Sequence, residues 1–248
     1  MAGGVSPKYA IQFGGMSIAA AFAAVTGVTT VVAQVVLIWV AVAVLVVAIA
    51  YSLGQPRLLM KRNDGSQPFV AWFILWPYFL LARLSLLLYR LSNRRKVAVA
   101  EVLPGVWFAR RLTAREISKS GVTWSAVLDL AAEFPRVASN GVTYRALPML
   151  DGVVPSEAHV REAVAWIDEQ AKRGNVLVHC ALGHGRTGSV VVAWLLFRGH
   201  VPDAKAGVAH LLARRSTFGM SKAQLALVER LTANQPGATG GTPPVRRD

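Results

Sequence analysis

The chain holds a single cysteine, Cys180, and the residues around it have the types and spacing that could do chemistry. They run His179-Cys180-Ala181-Leu182-Gly183-His184-Gly185-Arg186-Thr187. A lone cysteine is ordinarily a small buried hydrophobe, and a pair of nearby glycines ordinarily a turn. The context here is different. Val176, Leu177 and Val178 read as a short buried strand, and beyond Thr187 the residues Val190, Val191, Trp194 and Leu195 recur at helical spacing. Glycines between a strand and a helix let successive N–H groups point inward, and the helix start adds its positive dipole end, so the segment suits a phosphate. Ala181, Leu182, Gly183, His184, Gly185 and Arg186 are then the phosphate-binding residues. The same field favours the thiolate, the nucleophilic form of a cysteine. Arg186 supplies a planar fork for two phosphate oxygens. The Thr187 hydroxyl can hydrogen-bond the sulfur and ease its departure from a phosphoenzyme.

A thiolate that attacks a phosphate ester expels an alkoxide or phenoxide, which needs a proton, and the later hydrolysis needs a base for water. One carboxylate can do both. Asp151 follows the apolar strand 144–147 and precedes a helix, 29 residues ahead of Cys180. Its loop placement makes it the candidate acid and then base; the plainer reading is a turn residue before Gly152. Asp129 is the rival, inside the apolar strand 126–130. Glu133 and Glu157 read as surface or capping residues. His179 reads as a core histidine that holds the loop, and His184 as a residue facing its entrance. The five histidines contain no His-x-x-x-His pair and the cysteine is single, so neither metal nor cofactor is expected.

The run from His179-Cys180 to Arg186-Thr187 resembles the Cys-x5-Arg-Ser/Thr signature of the protein tyrosine phosphatase superfamily, and the short domain around it is similar to the dual-specificity branch. The resemblance covers roughly residues 97–234. It implies an α/β fold with a central sheet flanked by helices, and a phosphocysteine intermediate. It also implies an acid at about the distance of Asp151, a structural aspartate at Asp129, and a His179 that orients the loop and keeps the sulfur ionised. Phosphorylated proteins come first among the implied substrates and lipid phosphates second; a non-catalytic phosphate-binding module is a third reading, disfavoured by the presence of the acid. The loop carries no lysine, which argues against a highly phosphorylated inositol head group.

The rest of the chain must position these groups. Strands at 105–108, 126–130 and 144–147 alternate with helices at 155–173, 202–215 and 221–231, as an α/β sheet requires. Residues 235–248, rich in Gly, Pro and Thr, read as a disordered tail. The first 96 residues are of another kind. Hydrophobic residues make up 54% of the whole chain and mean hydropathy is +0.42, too apolar for an ordinary soluble enzyme. No charge occurs from Ala10 to Leu53, about twice the ~20 residues that one span needs. Helices are expected over 10–26 and 30–53, with a turn at Gly27 and Thr29-Thr30. A cleaved signal peptide is disfavoured, because no small-residue site is followed by a polar start. A third apolar run, 69–91, contains Pro77 and Arg83 and ends in Arg90, Arg94, Arg95 and Lys96.

The formal charge is +14. Within residues 1–96, nine basic residues face one acidic residue, Asp64. Basic clusters beside apolar runs mark a cytoplasmic membrane face rather than a nucleic-acid partner. The connector 54–68 and the 90–96 cluster are both basic, so the third run either spans with a snorkelling Arg83 or lies in the interface. The expectation is a multi-pass membrane region of two or three helices in contact with lipids, over residues 1–96, and a cytoplasmic catalytic domain over 97–234. The single thiol fits a reducing compartment.

Overall fold

The computed structural model of the protein describes residues 4–27, 30–137 and 141–233; the expected tail at 235–248 and Thr29 of the expected turn lie outside them. Three long helices come first: α1 (Pro7–Thr26), α2 (Val31–Leu53) and α3 (Phe69–Ser92). Each is long and apolar enough to cross a membrane. α1 and α2 pair as a hairpin through small residues, with buried Ser17 donating its hydroxyl to the Ala41 carbonyl at 2.8 Å. Their outward faces carry exposed Ile11, Ile18, Phe22, Val32 and Val35. α3 runs through Pro77, and Arg83 places its guanidinium 4.5 Å from the Trp72 ring.

The α/β part contains β1 (Val99–Leu103), β2 (Val106–Ala109), α4 (Ala114–Lys119), β3 (Trp124–Ala131), β4 (Thr143–Met149), α5 (Glu157–Ala171), β5 (Asn175–His179), α6 (Gly185–Phe197), α7 (Ala204–Arg214) and α8 (Lys222–Ala233). The sheet order is β1-β2-β5-β3-β4; β1 and β2 are antiparallel and the other pairs parallel. β5 is therefore central. Val176 and Val178 pack under α6, while Leu177 packs on the opposite face with Trp124 and Val127. A strand buried on both faces needs the continuous apolar run that marked it in the sequence. Ser156 and Asp203 cap α5 and α7, each side chain accepting a backbone N–H of the first turn. The parallel strands bring their C-terminal ends to one edge, where Cys180 follows β5 and Asp151 follows β4. That edge is where open α/β sheets place their sites.

The connector between α2 and α3 is tied into the α/β part: Lys61 is buried and its ammonium lies 2.6 Å from Asp129. Asn63 O accepts the Ala146 N–H at 2.8 Å, and Gly65 O accepts that of Arg136 at 2.8 Å. The apolar helices and the α/β part thus share packing, with Val47 and Tyr51 of α2 and Leu75 and Phe79 of α3 clustered against Leu150 and Val153.

Candidate active site

Cys180 leaves β5 at the centre of the sheet and is buried. Its Sγ accepts the Gly183 N–H at 3.2 Å, so the chain after it curls back over the sulfur. Gly183 has φ +70, and a Cβ there would meet Ala109 O and Arg215 Nη1 at 2.5 Å; the position requires glycine on both counts. α6 begins at Gly185, which aims its N-terminal N–H groups into the curl.

Arg186, in the first turn of α6, is buried and fully engaged on one edge. Nη1 and Nη2 each donate to one oxygen of Glu133 at 2.8 Å, Nη1 also donates to Met149 O at 3.1 Å, and Nη2 lies 2.9 Å from Asp151. Burial would lower the Arg186 pKa, but Asp151 and Glu133 hold it well above the ordinary value. Its Nε is buried with no hydrogen-bond partner, and so is Thr187 Oγ1. Those donors are what a bound phosphate and a sulfur would engage.

Glu133 corrects the sequence reading. It is neither a surface nor a capping residue but the bidentate partner that fixes Arg186. It follows β3 at the same edge of the sheet. An acidic residue between Ala132 and Phe134 at the end of a parallel strand was the available signal.

Asp151 stands on the loop after β4 with more than half of its side chain exposed. The next residue, Gly152, has φ +65, and its missing Cβ is the space filled by the Tyr9 ring of α1. The rival, Asp129, is fully buried. It pairs with Lys61, accepts the Tyr144 hydroxyl at 2.5 Å and the Ala131 N–H at 2.9 Å, and lies 3.8 Å from His179 Nδ1. Burial would raise its pKa, but Lys61, His179 and Arg111 outweigh this and hold it well below the carboxylate range. A carboxylate so held cannot donate a proton at neutral pH. His179 is buried beneath the loop with Nδ1 3.1 Å from Cys180 O; burial, opposed by Asp129, pushes its pKa down.

His184 does not line the cavity at the mouth of the loop. It turns to Tyr89 of α3, its Nε2 2.9 Å from the hydroxyl, and burial followed by Arg215 brings its pKa down to about 4. Arg215, which sequence reasoning missed, is the loop's brace. Its guanidinium donates to Gly183 O and Leu182 O at 2.7 Å each, to Val97 O at 3.1 Å and to the Tyr89 hydroxyl at 3.2 Å. Ala181 and Leu182 face Leu86 of α3. No group of three or more potential metal ligands occurs among the described residues.

Residues 111–200 match the family model described as a polymorphic toxin system DSP-PTPase phosphatase. The human dual specificity protein phosphatase 15 is 28% identical over 97 residues, 38% of this chain and 33% of that protein. The tyrosine-protein phosphatase CDC14 homolog of Schizosaccharomyces pombe is 31% identical over 71 residues, 29% of this chain and 13% of that protein. The chain thus spans a third or less of the length of these relatives. The crystal structure of Tk-PTP in the active form superposes with a TM-score of 0.50 at 24% identity, over 56% of this chain and 98% of that one. The family match at 111–200 spans β3, β4, β5 and the cradle.

Proposed function

We propose that the protein is a membrane-attached, cysteine-dependent phosphatase of phosphate monoesters, on the premise that residues 111–200, which match the DSP-PTPase model, place it among the dual-specificity phosphatases of the protein tyrosine phosphatase superfamily. The observation that carries this is Asp151 at 2.9 Å from Arg186, beside a sulfur capped by its own loop's N–H. The anion fork and the proton donor are in contact, and the short loop between Cys180 and Arg186 keeps the nucleophile near them. In the first step Sγ attacks phosphorus in line; the S–P bond forms as the P–O bond to the leaving group breaks. Asp151 gives its proton to the departing oxygen. The loop N–H groups and the free Nε edge of Arg186 hold the non-bridging oxygens, while Glu133 keeps the guanidinium from turning. In the second step water attacks phosphorus, Asp151 takes its proton, and the sulfur leaves with the Thr187 hydroxyl beside it. The net reaction is hydrolysis to an alcohol and inorganic phosphate, with no metal in either step.

Where the helix ends touch supports a particular membrane arrangement. The start of α1 and the end of α2 are both at the phosphatase part: Gly4 donates to Val154 O at 2.9 Å and Tyr51 packs near Val153. At about 1.5 Å per residue the hairpin extends some 30–35 Å from there, a bilayer's hydrocarbon thickness. α3 differs. Gln67, just before it, donates to Ala132 O at 3.3 Å; Leu86 clusters with Phe134 and Ala181; Arg90 at its end bonds Arg111 O. A helix held to one domain before its start and again at its end does not cross the bilayer away from it. This supports two spans, α1 and α2, with α3 lying in the interface. The connector and the 90–96 cluster then lie on one basic side, the cytoplasmic one. The working unit also extends beyond 97–234, since Lys61 and Tyr89 belong to it.

The leaving group supplies the test. Asp151→Asn should slow an alkyl phosphate by about 10²–10⁴-fold and a nitrophenyl phosphate far less, because nitrophenolate leaves without a proton. Equal losses on both would remove Asp151 from the acid's role.

A further inference from the structure

At the mouth of the cradle lies a cavity of about 190 Å³. Its floor is the phosphatase: Ala181 and Leu182 follow the nucleophile, and Asp151 and Glu133 flank Arg186. Its walls come from the membrane region, with Tyr9 and Phe13 on α1, Tyr51 on α2, and Leu81, Ala82 and Leu86 on α3. The leaving group must stand where Asp151 can reach its oxygen, and that place is this cavity. It therefore leaves the cradle between apolar helices. Leu81, one of the lining residues on α3, is itself exposed, so the cavity opens along that helix.

We infer that the substrate is a membrane lipid bearing a phosphate monoester, which enters the cradle laterally between α1 and α3. This rests on the phosphatase reading above and names its substrate class. A phosphopeptide in this cavity would lay its backbone N–H and C=O groups against mostly hydrocarbon walls, where the hydroxyls of Tyr9, Tyr51, Tyr78 and Ser85 are too few to pair with them all. A lipid alcohol has none to satisfy, and its hydrocarbon continues into the bilayer that the same faces border. Charge complements the placement. Across Leu86 and Phe134 from the mouth, a second cavity of about 210 Å³ is lined by Arg83, Arg90 and Arg111. Arg111 Nη1 is buried there without a hydrogen-bond partner, 3.9 Å from Asp129. Guanidiniums beside the mouth suit the phosphates of an anionic bilayer surface and hold that surface against the opening.

The test uses the full chain reconstituted in vesicles of a neutral phospholipid. Phosphate release is measured from phosphatidic acid in the bilayer, from a soluble phosphotyrosine peptide and from soluble nitrophenyl phosphate. The expected result is a kcat/KM for phosphatidic acid at least about tenfold above that for the peptide, the scale set by apolar contacts in a pocket. Ala82→Trp narrows the cavity and Leu81→Glu puts a charge at its lateral opening. Each should lower lipid turnover at least about tenfold more than nitrophenyl phosphate turnover, the latter also reporting that the variant folds. Peptide turnover equal to or above lipid turnover would overturn lateral entry, and so would equal losses on both substrates in both variants. A wild-type protein that hydrolyses none of the three, nitrophenyl phosphate included, would overturn the phosphatase reading and this inference with it.

Discussion

Replacing Lys61 by methionine should destabilise the whole protein, although Lys61 lies far from the cradle in the sequence, in the connector between α2 and α3. Both Lys61 and Asp129 have fully buried side chains, and they meet at 2.6 Å; Lys61 Nζ also donates to Ala131 O at 2.6 Å. Methionine keeps the stem's volume and removes the charge, leaving Asp129 buried and ionised. Removing one partner of a buried pair costs about 3–5 kcal/mol. Asp129 keeps its bonds from Tyr144 and Ala131 N–H, which places the expected cost toward the lower end. For a protein of this size each kcal/mol moves the melting temperature by roughly 2–4 °C, so the loss should be about 6–12 °C. Thermal unfolding in detergent, followed by tryptophan fluorescence, reads it directly. Asp129→Asn combined with Lys61→Met removes the orphaned charge and should recover about half of the loss or more. A shift below about 2 °C for Lys61→Met, or a double variant no better than the single, would refute the claim that this pair ties the connector to the sheet.

Arg215→Lys should lower kcat/KM by about 10- to 100-fold, one charge-assisted hydrogen bond's worth of loop positioning, because an ammonium cannot span Gly183 O, Leu182 O and Val97 O together; steady-state kinetics with nitrophenyl phosphate measure it, and an unchanged value would contradict the brace. The His184 pKa of about 4, against an ordinary value near 6.5, means that the unfolded chain takes up a proton between these pH values that the folded one refuses. Stability therefore falls as pH drops through that window. The melting temperature of His184→Gln should fall less steeply than that of wild type between pH 6.5 and 4, and parallel slopes would contradict it.

The parts of the site that sequence discloses are those compressed into a short stretch. Cys180, Arg186 and Thr187 stand within eight residues, and the strand and helix around them have clean periodicities. The sheet was legible for a similar reason: β3 and β5 are apolar runs buried on both faces. What was not legible depends on partners far away in the chain. Glu133 meets Arg186 across 53 residues, Lys61 meets Asp129 across 68, and Tyr89 meets His184 across 95. A lysine or glutamate alone carries no mark of such a partner, so the ordinary prior of a solvated charge wins. Arg215 follows α7 and reads as a basic residue complementing a helix end; only the curl of the loop gives it carbonyls to hold. Strand β1 also escaped, because Val99–Leu103 is short, contains Glu101 and lies at the sheet edge.

The central claim is that phosphate passes through the sulfur of Cys180. Rapid quenching during turnover of a phosphate monoester by the full-length protein, followed by mass spectrometry of the Cys180 peptide, tests it most directly. Asp151→Asn, which slows the hydrolysis step as well as the first, can be quenched in parallel with a nitrophenyl phosphate. The account predicts a phosphate adduct on Cys180 in wild type or in that variant, and neither adduct nor turnover in Cys180→Ser, whose hydroxyl stays protonated in the same cradle. Near-normal turnover by Cys180→Ser, or an adduct on another residue, would contradict it.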